Sequence, residues 1–265
     1  MFKDKSDISW ERIGRKNPYW GVLSCDKYRN EMITSDSKAA FFQTGENHIK
    51  KVLTIMRRHF DKVPNQGTAL DYGCGVGRLV IPLASHFANV VGVDVSPSMI
   101  AEAKNNCSIR GINNVVFITS DDNLSNIKDT FVFINSFIVM QHIPVIRGLI
   151  IINQLIDRLQ PGGVIALHFP FMREASRLRK VVNYVRVRFN PLNTLVNLVQ
   201  GKLWNEQFIQ MNSYDIKRIL KLLSMHGITD VFIEIIDYDG YMQAYVFAQK
   251  PLHPFSTKNE FISET

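Results

Sequence analysis

One glycine-rich stretch constrains the fold of this chain more than any other feature of its sequence. Residues 69–77 read ALDYGCGVG: a short apolar run ends at Asp71, and glycines follow at Gly73, Gly75 and Gly77. An apolar run that permits a helix, RLVIPLA, comes next. The order predicts a strand, a tight turn and a helix, because glycine allows positive φ and leaves room for a ligand. The helix would offer unpaired N–H groups, so we expect a nucleotide-like cofactor here.

A second acid follows in a position that suits nucleotide binding. The dinucleotide fingerprint is G-x-G-x-x-G, but here Arg78 stands at its third glycine position and the glycine comes one residue earlier, at Gly77. Residues 88–94, ANVVGVD, predict a second short strand that ends at Asp94. An acid at this strand end accepts hydrogen bonds from ribose hydroxyls. Nicotinamide enzymes also use such an acid, so Asp94 alone does not identify the cofactor.

Five motifs in order resemble those of the class I S-adenosylmethionine-dependent methyltransferases. They are ALDYGCGVG, VVGVDVSPSMI, VVFITSDD, NSFIVMQHI and LQPGG, and they cover roughly residues 47–170, with a weaker match to about 250. Within the family the chain resembles the bacterial type 11 and type 12 small-molecule methyltransferases. The resemblance implies an α/β, Rossmann-like three-layer sandwich whose seven-stranded sheet is mostly parallel with an antiparallel last strand. It also implies S-adenosyl-L-methionine as cofactor.

Alternating strand and helix patterns favour the same fold class. We predict strands near 67–72, 89–95, 114–119, 130–137, 163–170, 229–237 and 241–249. We predict helices near 47–60, 77–87, 97–110, 144–160 and 213–226. Ser96 and Pro97 fit the start of a helix, and Gly111 and Gly227 fit helix ends. The DYDG sequence at 237–240 predicts a hairpin between the last two strands.

The sequence divides into three predicted parts. Residues 1–46 are rich in aromatic side chains and are expected to form a helical lid over the site. Residues 47–250 form the methyltransferase domain, and residues 251–265 form a C-terminal tail. A basic helical cap insertion, residues 171–205, carries most of the net charge of +7. It is either a solvated face, or a contact surface for an anionic acceptor or for peripheral membrane binding.

Composition predicts a soluble cytoplasmic enzyme that works without a metal. The chain has 265 residues, of which 46% are hydrophobic, enough for one sizeable core. It has no apolar run as long as the ~18 residues of a membrane span, and its N-terminus lacks an apolar signal region. Its cysteines have neither C-x-x-C spacing nor histidines at metal-ligand spacing; they are Cys25, Cys74 and Cys107.

The resemblance assigns cofactor contacts to individual residues. Asp71 would organise the glycine loop and approach the methionine part of the cofactor, and Asp94 would bind the ribose. Asp121, or else Asp122, would contact the adenine, and Met99 would either pack on the adenine ring or belong to an ordinary helix core. The other candidate cofactor-binding residues are Gly73, Gly75, Gly77, Asn135 and Tyr28, of which Tyr28, like Tyr19, has a hydroxyl that could reach the cofactor carboxylate.

Two histidines are candidate general bases for the reaction, and a tyrosine of the N-terminal lid is a third possibility. His142 follows the fourth strand, and His168 lies at the end of the fifth strand beside the same cleft. An unperturbed imidazole titrates near neutral pH, although His142 could equally form a structural hydrogen bond. Attack by the acceptor in line with the departing sulfur needs mainly proximity and alignment.

We expect O-methylation of a small-molecule or glycan-type acceptor. A nucleic acid is not expected, because the sequence has no N-P-P-Y motif and no recognisable RNA-binding module. Two other function classes remain open. One is an NAD(P)-dependent Rossmann oxidoreductase, and the other is a non-catalytic module of the same fold that binds a ligand or a membrane surface.

Overall fold

The computed structural model describes residues 5–60, 66–173, 209, 211–238 and 241–253. The strands are β1 (Thr68–Tyr72), β2 (Asn89–Asp94), β3 (Val115–Thr119), β4 (Phe131–Ser136), β5 (Leu159–Arg173), β6 (Asp230–Tyr238) and β7 (Tyr241–Gln249). The helices are α1 (Lys5–Lys16), α2 (Pro18–Val22), α3 (Ser35–His59), α4 (Val80–Ala84), α5 (Pro97–Ile109), α6 (Val145–Asp157) and α7 (Ile216–Met225).

The strands form one seven-stranded sheet in the order β3-β2-β1-β4-β5-β7-β6. β1 to β5 pair in parallel, whereas β7 is antiparallel to both β5 and β6. The mostly parallel sheet with an antiparallel last strand is therefore confirmed. The chain runs outward from β1 to β3 and then returns to β4 on the other side of β1. Ligands of open α/β sheets bind at the carboxyl ends of the strands where the order reverses in this way.

Helices cover both faces of the sheet, which gives the predicted three layers. Successive side chains of a strand point to opposite faces, and β1 shows this alternation. Ala69 packs in a buried cluster with Met56 of α3. Leu70 packs in the cluster on the other face with Ile151 of α6 and Leu223 of α7. The core thus fixes β1, and with it the loop that follows.

Several turn predictions are confirmed. The Ser96 side chain accepts a hydrogen bond from the Met99 N–H across 3.1 Å and caps α5, which begins at Pro97. Gly111 and Gly227 adopt φ of 65° and 71° beyond the ends of α5 and α7. These positions suit glycine because a side chain there would be strained.

Three element boundaries differ from the prediction. α3 begins at Ser35, because Thr34 and Ser37 form a capping box, so the predicted boundary at residue 46 lies inside this helix. α4 is limited to Val80–Ala84, since positive φ persists to Gly77. β5 begins at Leu159, so the motif LQPGG is already part of the sheet.

Some predictions fall on residues outside the described part of the chain. These are the basic insertion from residue 174 onward, the tail from residue 254 and the hairpin tip at 239–240. None of the helices in the described ranges has the length and hydropathy that a membrane crossing requires.

Candidate active site

A pocket opens at the carboxyl ends of β1, β2 and β4. Four parts of the chain line it: the glycine loop, the end of β2 with the start of α5, the segment after β4, and the N-terminal helices. Its lining includes Asp71, Gly73, Cys74, Gly75, Arg78, Asp94, Met99, Phe137, Ile138, Val139, His142, Arg147, Asp7, Trp10 and Val22. Of the predicted site residues, the fold brings together Asp71, Gly73, Gly75, Asp94, Met99 and His142 on this lining.

The amides of the glycine loop are bonded within the protein. The N–H groups of Gly73 and Cys74 both donate to the carbonyl of Val93, across 2.7 and 2.9 Å. The N–H of Gly77 donates to the carbonyl of Cys74 across 3.0 Å. These three amides close the turn and join it to β2, and the N–H of Gly77, the first residue of the predicted helix, is therefore not available to a ligand.

The loop glycines instead allow an unusual backbone and close packing. Gly73, Gly75 and Gly77 have φ of 78°, 52° and 87°, which side chains rarely adopt. A Cβ on Gly73 would overlap Val139, and a Cβ on Gly75 would lie 2.6 Å from Cγ2 of Val22. Gly77 lies outside the pocket lining, and a Cβ there would lie 3.5 Å from Cβ of Ala103 in α5, an ordinary van der Waals distance. The loop thus packs closely against the segment after β4 on one side and against helix α2 on the other.

Asp94 ends β2 and joins it to the glycine loop. Its Oδ2 accepts the N–H of Gly75 and its Oδ1 accepts the N–H of Ser96, both across 2.9 Å. Burial raises the pKa of Asp94 to about 6, and these two hydrogen bonds, together with one from the Val95 N–H, oppose the rise. A carboxylate has about four acceptor sites, and three of them are taken by backbone N–H groups, so Asp94 keeps the capacity to accept about one further donor from the pocket.

A chain of hydrogen bonds between buried side chains fixes the position of Asp71. Its Oδ1 accepts from Nδ2 of Asn135 across 2.8 Å, and Oδ1 of Asn135 accepts from the Tyr245 hydroxyl across 2.9 Å. Burial raises the pKa of Asp71 to about 6, against the Asn135 bond and the attraction of Arg78. Asn135 is fully buried and supports Asp71 instead of lining the pocket.

The two acids after β3 lie outside the pocket lining. Asp121 accepts from the backbone and hydroxyl of Ser125, and these bonds lower its pKa. Asp122 pairs with Arg147, whose Nη2 lies 2.6 Å from its Oδ1. Arg147 itself belongs to the lining, so Asp122 is linked to the pocket through this cation.

Helix α1 covers the pocket and is fastened at two points. Glu11 accepts from the Ser96 hydroxyl across 2.8 Å and from the Ser98 N–H across 3.1 Å, at the start of α5. Asp7 forms an ion pair with Arg147 across 3.1 Å. Between them, Trp10 faces the pocket. The N-terminal segment thus contributes side chains to the pocket lining, and its function as a lid stays a prediction.

The two predicted tyrosines lie in the packing beneath this segment. The Tyr19 hydroxyl donates to Glu102 and, across 2.9 Å, to Asn106. Tyr28 is buried with its ring edge against Phe41, at a centroid distance of 5.2 Å. The pocket lining contains neither tyrosine, so the structure does not bring Tyr28 to the site as the sequence suggested.

The structure separates the two candidate bases. His142 lines the pocket, and its ring centre lies 4.9 Å from that of Trp10. His168 is 1% exposed and lies outside the lining; its Nδ1 accepts the N–H of Ile138 across 3.3 Å. Burial lowers the pKa of His168 to about 4. Ile138 has φ of 57°, a strained value for a β-branched residue, so His168 helps to hold the pocket wall.

Among the residues of the lining that the sequence did not single out are one aromatic residue and two cations: Trp10, Arg78 and Arg147. Arg78 was visible as the residue that breaks the dinucleotide fingerprint. Trp10 is one of many aromatic residues in the N-terminal segment, and no motif distinguishes it from the others. Arg147 carried no local signal, because its partners Asp7 and Asp122 are distant in sequence. In the described part of the chain, no cluster of three or more His, Cys, Asp or Glu side chains is arranged for a metal ion.

Residues 69–163 match the family described as "Methyltransferase domain". Among solved structures, this chain is similar to magnesium protoporphyrin IX methyltransferase from Synechocystis PCC 6803, crystallised with bound SAH. The match covers 93% of this chain and 100% of the other chain, with 18% sequence identity and a TM-score of 0.60. The match to a SAM-dependent methyltransferase from Methanosarcina mazei covers 75% of this chain and 98% of the other chain, with 18% sequence identity and a TM-score of 0.53. At these identities the likeness concerns the fold.

Curated relatives match over shorter segments. A tRNA/tmRNA (uracil-C(5))-methyltransferase from Wolinella succinogenes is 31% identical over 110 residues, 40% of this chain and 30% of its own. A 23S rRNA (uracil(1939)-C(5))-methyltransferase from Marinomonas sp. is 39% identical over 126 residues, 42% of this chain and 28% of its own. The chain spans less than a third of the length of either relative.

Proposed function

Because this chain carries a class I S-adenosylmethionine-dependent methyltransferase domain, we propose that it transfers a methyl group to a small-molecule acceptor, with oxygen as the receiving atom. One observation carries the proposal. Trp10 and Val22 of the N-terminal helices share one pocket lining with Gly75 and Asp94. An acceptor must therefore fit beneath a protein roof, which suits a small molecule and excludes water from the reaction.

The residues present fit S-adenosylmethionine, the cofactor of this domain. Asp94 has acceptor capacity left for a ribose hydroxyl. Asp71 offers a buried carboxylate to the positively charged amino group. Met99 lines the pocket beside Asp94 and would pack against the adenine. Asp121 and Asp122 remain predictions for the adenine end, where Arg147 orients Asp122.

The protein's part in the reaction is alignment and proton removal. The cofactor supplies a methyl group on a positively charged sulfur, which is a strong electrophile. The roof formed by α1 and the strained segment at Ile138 hold the acceptor against it, and such positioning lowers the barrier by several kcal/mol, up to ~10. His142, on the pocket lining beside Trp10, takes the proton of an acceptor hydroxyl. His168 acts by positioning Ile138.

RNA is the second candidate acceptor, because the curated relatives named above are RNA uracil-C(5) methyltransferases. Carbon 5 of a uracil ring becomes nucleophilic when a nucleophile such as a thiolate adds to the ring. Of the three cysteines, Cys74 is the one on the pocket lining. Burial raises its pKa well above the usual value, so its thiol is protonated at neutral pH. This chemistry favours the small-molecule acceptor.

The acceptor class can be tested directly with a labelled methyl group. The protein is incubated with S-adenosylmethionine labelled on its methyl, together with a cell extract split into small-molecule, lipid-linked glycan, protein and RNA fractions. We expect label in the small-molecule or glycan fraction, and none with Asp94→Ala. Asp129→Ala, which removes an exposed carboxyl on the loop before β4, is the matched control. Label confined to the RNA fraction would overturn the proposal.

A further inference from the structure

Helices α6 and α7 lie side by side on one face of the sheet. Just before their first turns, the Tyr214 hydroxyl donates to the carbonyl of Ile143 across 3.0 Å. At their last turns, Nε2 of His226 lies 3.0 Å from Oδ1 of Asp157. Both helices also pack on the same buried cluster. The two helices therefore run in the same direction, and their outer sides form one continuous surface.

Large apolar side chains are exposed on this helix pair. They are Ile146 and Ile150 of α6, and Leu220 and Met225 of α7. Ile146 is 77% exposed and lies one helical turn before Ile150, so the two side chains are neighbours on the helix surface. A single exposed apolar residue is ordinary. A group of them on two adjoining helices is typical of a surface that binds another molecule.

Positive charge lies beside these apolar side chains. The α7 sequence, IKRILKLLSM, has three basic residues and no acid, and Lys217, Arg218 and Lys221 are all exposed. Lys217 and Lys221 are one helical turn apart. The contacts at both ends of the helix pair place these two lysines level with Ile146 and Ile150. Because packed helices lie about 8–10 Å apart, a row of lysines runs beside a row of isoleucines.

A bilayer with anionic headgroups complements both rows at once. Aliphatic side chains enter the boundary between headgroups and acyl chains, and lysines are attracted to the anionic headgroups. RNA would also attract the lysines, but proteins bind its unpaired bases by stacking on aromatic side chains, and the sequences of α6 and α7 contain none. The acids at the ends of the pair are bonded within the protein: Asp157 to His226, and Asp215 to the N–H of Lys217.

We propose that this surface binds an anionic membrane. The surface, called the α6–α7 face, consists of Ile146, Ile150, Lys217, Leu220, Lys221 and Met225. The proposal goes beyond methyl transfer and does not depend on it. Arg147, the residue after Ile146, belongs to the pocket lining, so the face adjoins the site. An acceptor carried by a lipid would therefore meet the pocket beside the bilayer.

Sedimentation of the full chain with vesicles tests the proposal. The vesicles are made of phosphatidylcholine, with or without phosphatidylglycerol, and the bound fraction gives a partition coefficient. Lys217→Gln/Lys221→Gln should lower the coefficient for anionic vesicles about 10- to 30-fold, because each lysine near such a surface contributes about fivefold. The matched control, Lys50→Gln/Arg57→Gln, removes two exposed charges from α3 on the opposite face of the sheet and should bind like the wild type.

A second pair of variants tests the apolar part of the contact. Ile146→Ser should lower the coefficient for anionic vesicles about 5- to 10-fold, because its side chain would no longer enter the bilayer. Ile109→Ser is the control, since Ile109 at the end of α5 is 70% exposed and lies off the α6–α7 face. Added salt should weaken binding of the wild type more than that of Lys217→Gln/Lys221→Gln, because salt screens the lysines.

Each contrary outcome has a separate meaning. A wild type that does not bind anionic vesicles would overturn the proposal, and so would equal binding by the wild type and the α6–α7 variants, since the contact would then lie elsewhere in the chain. A loss in Lys217→Gln/Lys221→Gln without a loss in Ile146→Ser would also overturn it, and binding of polyuridylate would then assign the lysines to RNA. Calorimetry with S-adenosylhomocysteine tests the proposed function separately, because vesicle binding does not require the cofactor.

Discussion

Asp94 and Gly75 are joined by a hydrogen bond of 2.9 Å from the Gly75 N–H to Oδ2 of Asp94. The bond links the end of β2 to the glycine loop after β1, so the proposed ribose ligand also fixes the loop beside it. Two features that are separate in sequence, the glycine stretch and the second acid, thus act as one unit. Removing the Asp94 carboxylate should therefore impair both ribose binding and loop order.

Cofactor affinity should fall in acid because Asp94 must be ionised to accept hydroxyl donors. Its pKa is raised to about 6 by burial, so the acceptor form is lost as the pH falls through that value. We expect the Kd of 5′-methylthioadenosine to be constant above pH 7 and to rise by up to about tenfold per pH unit below 6. Calorimetry from pH 5 to 8 measures this. The ligand lacks the amino-acid end and therefore makes no contact with Asp71 through it, and a flat profile would contradict the assignment.

Asp71→Asn should make the free protein more stable while weakening cofactor binding. Burial raises the pKa of Asp71 from 3.8 to about 6, so the folded state carries a penalty for the ionised carboxyl. The penalty is complete above pH 6 and disappears as the pH falls below the unfolded value. The variant should therefore gain about 1–3 kcal/mol over the wild type at pH 7.5 and little at pH 4.

Thermal unfolding of both proteins between pH 4 and 8 measures this difference, with S-adenosylhomocysteine affinity as the second readout. Asp129→Asn, which alters an exposed carboxyl, should have the same unfolding temperature as the wild type at every pH. An Asp71→Asn protein that is less stable than the wild type throughout the range would show that the Asn135 and Arg78 contacts outweigh the cost of burial.

Gly75→Ala should separate backbone strain from packing in the glycine loop. An alanine side chain at Gly75 has two costs: backbone strain, because φ is 52°, and a collision with Cγ2 of Val22. Gly111 has φ of 65°, but a Cβ there would meet nothing within 4 Å, so Gly111→Ala carries only the strain, about 1 kcal/mol. We expect Gly75→Ala to lose about 1 kcal/mol more, and the double variant with Val22→Ala to recover that excess. Denaturant unfolding of the wild type, the two single variants and the double variant tests this. A double variant that is no more stable than Gly75→Ala contradicts the packing account.

His142→Gln should reduce methyl transfer without reducing cofactor affinity. General-base catalysis contributes typically 10²–10⁴-fold, so we expect a fall of about 100-fold or more in kcat for a hydroxyl acceptor. S-adenosylhomocysteine should bind as before. The companion variant His168→Gln should instead disturb the Ile138 segment that it supports, with a lower unfolding temperature as well as a lower rate. Equal losses of affinity and rate in His142→Gln would show that it shapes the pocket and is not the base.

The sequence predicts the strands of this fold well because each is specified locally. The run before Asp71 and the run before Asp94 each carry the pattern of a buried strand and its terminal acid. The start of α3 was missed, since its capping box lies in a segment interpreted as lid.

Contacts between distant residues could not be predicted in the same way. The helix after the glycine loop was expected to offer its N–H groups to a ligand, but the N–H of Gly77, where that helix was predicted to begin, donates to the carbonyl of Cys74. His168 and His142 looked equivalent in sequence, and only packing buries the first and places the second on the pocket. Arg147 acquires its role from Asp7 and Asp122, which no local pattern connects.

The most direct test of the account is a calorimetric titration of the protein with S-adenosylhomocysteine and, separately, with NADH. We predict one site per chain for S-adenosylhomocysteine, a Kd at least tenfold higher in Asp94→Ala than in Asp129→Ala, and no binding of NADH. Binding of NADH without binding of S-adenosylhomocysteine, or unchanged affinity in Asp94→Ala, would contradict the assignment of this pocket to the methyl donor.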